Sequence, residues 1–115
     1  MSFNDIETKK IQKAADNFLD IRRPPVQIRD KVDIGYKIEK NNIIVFEIRP
    51  QWDNPKNIIE IPIAKATYNK SKNIWKIFWQ KSDLKWHVYD PDSQVNNIED
   101  FFSIVDRDDY CCFWG

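Results

Sequence analysis

Two short strings hold the residues whose types and spacing could do chemistry. Glu47 and Arg49 are two positions apart in F-E-I-R-P, and His87, the only histidine, is two positions before Tyr89 in W-H-V-Y-D. Residues two apart on a strand share one face of a sheet. Together with Lys65 they would supply a carboxylate, an imidazole and cations, the set that metal-independent ribonucleases use for proton transfer and charge stabilisation. The pattern allows one hypothesis: a metal-independent phosphodiesterase or ribonuclease that uses Glu47 and His87.

A simpler interpretation accounts for the same residues. A cross-strand Glu–Arg ion pair can account for the Glu47 and Arg49 side chains, and His87 can be the polar residue that alternates outward on the last strand. We favour this interpretation. Glu47, Arg49, His87 and Tyr89 are therefore catalytic candidates only, and the sequence favours binding over catalysis.

Charge is distributed unevenly along the 115 residues, although the net charge is zero. The segment 56–85 holds seven lysines against two acidic residues, a net charge of +5, and the segment 86–115 holds one arginine against seven acidic residues, a net charge of −6. The two halves can neutralise each other within one fold, or the basic part can meet a phosphate-bearing partner.

The lysines of the basic segment alternate with Tyr68, Phe78 and Trp79, so this region could bind single-stranded nucleic acid or RNA. The competing interpretation places Trp75, Trp79 and Trp86 in the core beneath helices and uses edge lysines to prevent sheet-to-sheet pairing. We expect a small binding module with nucleic acid or a protein as its partner, acting as a monomer or as a homodimer through an exposed sheet edge. The candidate binding residues are Arg49, Trp52, Lys65, Lys76, Lys85 and His87.

Several classes of site do not fit the sequence. Glycine occurs only at positions 35 and 115, so the sequence contains neither a Walker phosphate loop nor a Rossmann fingerprint, both of which need closely spaced glycines. The adjacent Cys111 and Cys112 with a single histidine cannot complete a usual zinc site, and we expect them to be reduced thiols. Scattered acids such as Asp33 and Asp53 are more often solvated than bound to Mg²⁺. We predict no metal and no cofactor.

The sequence also predicts the location of the protein. The first ten residues include acids and no apolar signal segment. The longest aliphatic and aromatic run, 43–46, is far shorter than the roughly 20 residues that a spanning helix needs. We expect a cytoplasmic protein with no membrane partner.

Hydrophobic spacing predicts the elements that would position these residues. A helix begins at Ser2 or Asn4 as N-cap, has one apolar face, and ends before Pro24-Pro25. A short helix follows Asn97 as N-cap and extends to about Asp106. Between them, alternation predicts strands at about 32–39, 43–50, 58–68, 74–80 and 84–89, with a loop over 51–57. Pro62 places its strand at an edge or a bulge.

Short turns between successive strands predict an antiparallel meander. The fold class is therefore α+β: a single domain over residues 1–115, with a sheet of about five strands and both helices on one face. The apolar pattern further predicts Leu84, Trp86 and Val88 on one face, with Lys85, His87 and Tyr89 on the other. Phe113 and Trp114 are expected to fold back onto the domain.

Five strings together carry a resemblance. R-P-P-V-Q-I-R-D-K-V, F-E-I-R-P-Q-W-D-N-P, W-K-I-F-W, W-H-V-Y-D and the ending C-F-W-G resemble, in order, a bacterial family known only as domain of unknown function number three thousand and twenty-four. The family has no assigned activity, so the resemblance implies no catalytic role. Its members end in Gly-x-Phe-aromatic-Gly. Cys111 replaces the first glycine of that pattern and Cys112 occupies its variable position, which argues against a thiol chemistry.

Overall fold

A computed structural model describes residues 3–81 and 83–114 of the chain. The predicted α+β class is confirmed, with two helices and an antiparallel sheet in the order β1-β2-β3-β4-β5. The sheet has six strands, because a two-residue strand, β6, pairs with β4. The elements are α1 (Asp5–Arg22), β1 (Asp33–Glu39), β2 (Asn42–Gln51), β3 (Asn54–Asn69), β4 (Ile74–Gln80), β5 (Trp86–Val88), β6 (Gln94–Val95) and α2 (Ile98–Arg107), with single 3-10 turns at Val26–Ile28 and Asp90–Asp92.

The first helix begins with a capping box. The Glu7 amide donates to Asn4 Oδ1 at 2.8 Å, and the Asn4 amide donates to Glu7 Oε1 at 3.0 Å, so two otherwise unpaired donors are satisfied. This confirms Asn4 as the N-cap; the alternative start at Ser2 lies outside the described residues. The buried face of α1 consists of Ile11, Ala14, Ala15 and Phe18.

The second helix ends in a cap that holds the C-terminal tail. Asn97 is the N-cap as predicted, although its side chain makes no capping bond; the Asp100 amide donates to the Asn97 carbonyl at 3.1 Å instead. Asp108 ends the helix in the left-handed region at φ 45°, and its carboxylate accepts the amides of Phe113 and Trp114 at 3.0 and 2.9 Å. The predicted return of the tail is confirmed: Phe113 is buried and packs its ring 4.9 Å from that of Tyr89.

Both helices pack against one face of the sheet, which we call the helix-covered face. Alternation along β2 and β4 sends Ile43, Val45, Trp75 and Ile77 into this core. Ala64 and Ala66 of β3 lie directly between those strands, opposite Val45 and Ile43 on one side and Trp79 and Ile77 on the other. Small residues in the central strand leave room for the large side chains of its neighbours.

The other face, the open face, carries no helix. Ile44 and Phe46 of β2 point to this side and are nevertheless buried. Lys37 of the neighbouring strand extends over the Phe46 ring, 5.7 Å from its centroid. Gly35 lies opposite Phe46, and a Cβ at this position would be only 3.0 Å from Phe46 Cε1. The missing side chain leaves room for the Phe46 ring beside β1.

The predicted assignment of faces on β5 is wrong. Trp79 pairs with His87 and Gln80 with Trp86, so His87 points to the helix-covered side and Trp86 to the open face. Tyr89, predicted on the same face as His87 but away from the core, is fully buried. The apolar pattern misled because Leu84 is not in the strand: it occupies the left-handed region at φ 64° in the preceding turn, and this turn sets the register.

The β2–β3 hairpin extends beyond the rest of the sheet. β1 pairs with β2 only up to Ile48, and β4 pairs with β3 only from Ala64 onward. We call residues 49–62 the β2–β3 arm. The predicted loop over 51–57 is wrong, because Trp52-Asp53 forms a tight turn and β3 already begins at Asn54. The prediction for Pro62 is confirmed, since a register shift between Val45 and Phe46 leaves Ile63 as an extra residue beside it.

Candidate nucleic-acid interface

Four residues of β3, β4 and β5 form a continuous group on the open face, which we call the basic aromatic face: Lys65, Lys76, Phe78 and Trp86. Lys65 lies directly opposite Phe78. Its Nζ is 4.8 Å from the centroid of the Phe78 ring and 4.9 Å from that of Trp86. Lys76 Nζ lies 5.8 Å from the Phe78 ring, on the same strand. Each ammonium therefore contacts the negative face of a ring rather than a carboxylate.

The electrostatics of this face differ from those of the rest of the sheet. Lys37, at the other end of the open face, pairs with Glu39 and Glu60 at 3.5 and 3.6 Å. Among the described residues, no carboxylate lies within 4.0 Å of the Nζ of Lys65 or Lys76. Burial lowers the pKa of Lys65 from its usual value, because the rings displace part of the water around its ammonium. This cation is thus held in place without an anionic partner.

A cavity of about 690 Å³ adjoins the basic aromatic face. It lies between the β3–β4 turn and the start of α1, and Lys76 lines it as well as contacting Phe78. Lys70 and Lys72 from the turn also line it, against one acidic side chain, Glu7, whose carboxylate is engaged in the capping box. Positive charge therefore continues from the face into the cavity.

The structure places the other predicted binding residues elsewhere. Arg49 lies on the β2–β3 arm and pairs with Glu47 at 3.0 Å, and Trp52 lies at the tip of the arm with 92% of its surface exposed. Lys85 is exposed in the turn before β5, where its amide donates to Asp83 Oδ1 at 3.0 Å. Of the six candidates, only Lys65 and Lys76 are brought together.

The catalytic candidates do not meet. Glu47 is on β2 and His87 on β5, three strands away, which is at least about 14 Å across a sheet with its usual strand spacing. Each has a local partner instead: Glu47 pairs with Arg49, and His87 Nε2 lies 2.9 Å from Asp83 Oδ2. Burial raises the pKa of Tyr89 to about 12, so its hydroxyl stays protonated at neutral pH. The geometry that a ribonuclease would need is absent from these residues.

Trp86 is the member of the basic aromatic face that sequence reasoning missed. Its alternation with Leu84 and Val88 suggested a core residue. The signal that could have identified it lies across the strands, where Phe78 and Lys65 occupy the same face. That relation depends on register, which the sequence does not specify.

Two further findings bear on function. The described residues contain no cluster of three or more side chains arranged to hold a metal ion. Within the same part of the chain, none of the helices has the length and apolar character needed to cross a membrane.

Comparison with known proteins gives a family and nothing closer. No curated protein and no solved structure matches the chain significantly. One family model, described as Domain of unknown function (DUF3024), matches residues 3–115, which is nearly the whole sequence. The resemblance found in the five sequence strings is thereby confirmed, and the chain belongs to this family of domains of unknown function.

Proposed function

We propose that the chain binds single-stranded nucleic acid on its basic aromatic face. The observation that carries this proposal is the set of two ring-supported lysines, Lys65 and Lys76, beside Phe78 and Trp86 on an uncovered sheet face. Such a face offers both contacts that an unpaired strand needs. Rings stack on bases of any sequence, and lysines neutralise the phosphates between them.

The arrangement favours a single strand over a duplex. Phe78 and Trp86 are intermediate in exposure and lie on a sheet, where they can contact bases only if those bases are unstacked from their own helix. Stacking on an aromatic side chain contributes about 1–3 kcal/mol per base. Stacking on the two rings would therefore stabilise a complex with a single strand. It would not stabilise a complex with a duplex, because the bases of a duplex remain stacked on each other.

The lysines of the adjoining cavity extend the site. Lys70 and Lys72 in the β3–β4 turn lie beyond Lys76, so a strand that stacks on the two rings can continue over further positive charge. The proposal therefore predicts retention on heparin that falls steeply with salt, because each neutralised phosphate releases counterions.

The test measures binding of a fluorescently labelled oligouridine by anisotropy as a function of salt. The variant K65A/K76A removes both ring-supported lysines. We expect it to weaken binding by at least about tenfold and to reduce the slope of log K against log salt by about 1.4, which corresponds to two phosphates on a single strand. The matched control is K9A/K13A, which removes two exposed lysines from α1 and should change affinity by less than about twofold.

Two single variants separate stacking from charge. F78A should weaken binding by about tenfold or more, equivalent to roughly 1–3 kcal/mol, without changing the salt slope. H87A, on the helix-covered face, should leave affinity unchanged. The proposal fails if the protein binds no oligonucleotide at low salt, or if K65A/K76A and K9A/K13A lose affinity equally.

A further inference from the structure

The β2–β3 arm exposes a strand edge. In β3, Asn54 and residues 58–62 pair with β2 on one side, but β4 pairs only with residues 64–69 on the other. A second register shift, between Pro50 and Gln51, also leaves residues 55–57 without partners in β2. Within the described ranges, no strand covers the outer edge of this segment. An uncovered edge of this length is a template for pairing with another chain.

Two prolines determine which backbone groups face that edge. Pro50 lies opposite Ile58, and Pro62 lies opposite Phe46. Proline has no amide hydrogen, so both are non-hydrogen-bonded pairs of the β2–β3 ladder, in which the backbone N–H and C=O groups of each residue point away from the opposite strand. Ile58, Glu60 and Pro62 occupy every second position of β3 and so all lie in non-hydrogen-bonded pairs with β2. The N–H and C=O groups of Ile58 and Glu60 therefore point outward to the free edge.

The side chains along the edge are complementary to themselves. Lys56, Ile58 and Glu60 follow one another at every second position of β3, with Ile58 in the centre at 61% exposure. In an antiparallel pair of identical segments centred on Ile58, Lys56 lies opposite Glu60 at both ends. Glu60 also lies 3.6 Å from Lys37 of its own chain and remains half-exposed.

We propose that a second copy of this chain pairs with the arm, edge to edge and antiparallel, about a two-fold axis at Ile58. In the dimer, Ile58 lies opposite Ile58 of the partner subunit, and Lys56 lies opposite Glu60 of the partner subunit. The two sheets become one continuous antiparallel sheet. This interface is separate from the basic aromatic face, so the dimer does not depend on nucleic-acid binding.

The same pairing explains further exposed apolar side chains. In this pairing, the arm tip of one copy, which carries Trp52, extends along the edge of the other copy. It points toward the turn after β4 of that other copy. Leu84 of that turn is 76% exposed. The dimer would bring both residues of each copy to the boundary between the subunits, and burial of large apolar side chains at that boundary stabilises the dimer.

A charge-exchange experiment tests the register directly by analytical ultracentrifugation. The wild type should shift from monomer to dimer mass in the micromolar range. K56E places two carboxylates opposite each other at both ends of the pairing, and E60K places two ammonium groups there, so each variant alone should remain monomeric. An equimolar mixture allows a dimer with one copy of each variant, in which the carboxylates of one subunit face the ammonium groups of the other, and it should recover the dimer mass. Circular dichroism checks that each variant folds.

A cysteine cross-link provides a second, independent measurement. Residues opposite each other in a hydrogen-bonded antiparallel pair have Cα atoms about 5.5 Å apart, within the range of a disulfide. In a background where Cys111 and Cys112 are replaced by serine, I58C should therefore form a covalent dimer on mild oxidation, and the matched control N57C should not. The proposal is overturned if the wild type stays monomeric up to millimolar protein, if both single-charge variants dimerise like the wild type, or if I58C and N57C cross-link equally.

Discussion

The cap at the end of α2 gives the sharpest prediction about stability. Asp108 has two tasks in the fold. Its carboxylate accepts the amides of Phe113 and Trp114, and its backbone occupies the left-handed region at φ 45°. Trp114 in turn donates from Nε1 to the Val105 carbonyl at 2.8 Å and lies under the guanidinium of Arg22 at 4.7 Å. Removal of the carboxylate should therefore release the tail from both helices.

The magnitude follows from these contacts. Each hydrogen bond to a charged acceptor contributes about 1.5 kcal/mol at the lower end of its range, which suits a half-buried carboxylate, so the two bonds contribute about 3 kcal/mol. A left-handed conformation costs an alanine a further 1–2 kcal/mol or so, whereas glycine adopts it freely. D108A should lose about 4 kcal/mol and D108G about 3 kcal/mol. D108N, which keeps one acceptor and tolerates the conformation, should lose about 1.5 kcal/mol.

Urea unfolding followed by tryptophan fluorescence and far-UV circular dichroism measures these losses. The difference in free energy of unfolding between D108A and D108G measures the cost of the left-handed conformation to a residue with a Cβ. The difference between D108G and D108N measures the contribution of the one side-chain acceptor that asparagine keeps. The slope of the free energy of unfolding against urea should stay constant across the series. A D108A protein within about 0.5 kcal/mol of the wild type, the scatter of ordinary surface substitutions, would refute the reasoning.

Three further substitutions test other parts of the fold by urea midpoint. G35A should destabilise by about 1–3 kcal/mol, because its Cβ would lie 3.0 Å from the Phe46 ring, and a second change of Phe46→Leu should recover part of the loss; an unchanged midpoint for G35A would contradict this. C111G should stabilise by up to about 1 kcal/mol, because Cys111 occupies the left-handed region at φ 57°; a loss of stability would show that its side chain matters more. Two hydrogen bonds from Arg23 hold the pKa of Asp33 below its ordinary value. The ionised carboxylate therefore stabilises the fold fully at pH values above the ordinary carboxyl pKa. This stabilisation is lost as the pH falls through the lowered pKa of Asp33 in the folded protein. D33N should therefore be less stable than the wild type at neutral pH, with a gap that narrows below about pH 4, and a gap independent of pH would contradict the linkage.

Local signals carried most of the correct sequence predictions. The capping box at Asn4 and Glu7, the stop at Pro24-Pro25 and the apolar face of α1 each depend on residues within a few positions of one another. The same holds for the turns that make the sheet a meander. Pro62 marked the irregular part of β3 because the absence of an amide hydrogen is a property of the residue itself.

The errors concern strand register and strand order, which the hydrophobic pattern does not determine. Trp86 and His87 exchanged faces because a left-handed residue in the preceding turn shifted the alternation by one position. The distance between Glu47 and His87 depended on strand order, which neither string specifies. The loop predicted from Asp, Asn and Pro in 51–57 is a tight turn followed by extended chain, because the Gln51–Asn54 pair closes the hairpin at Trp52-Asp53. In the candidate site, Lys65, Lys76 and Phe78 were therefore predictable from the sequence, and Trp86 was not.

In the proposed dimer, β3 sets the distance between the basic aromatic faces of the two copies. Ile58 on the arm and Lys65 on the basic aromatic face belong to the same strand, seven residues apart with the Ile63 bulge between them, which is about 23 Å at full extension. A two-fold axis at Ile58 would hold two such faces on the same side of a joined sheet, roughly 46 Å from lysine to lysine along the strands. Short oligonucleotides would then occupy the faces independently. Only ligands long enough to bridge that span would gain bivalent affinity, and the length at which affinity rises would report the spacing.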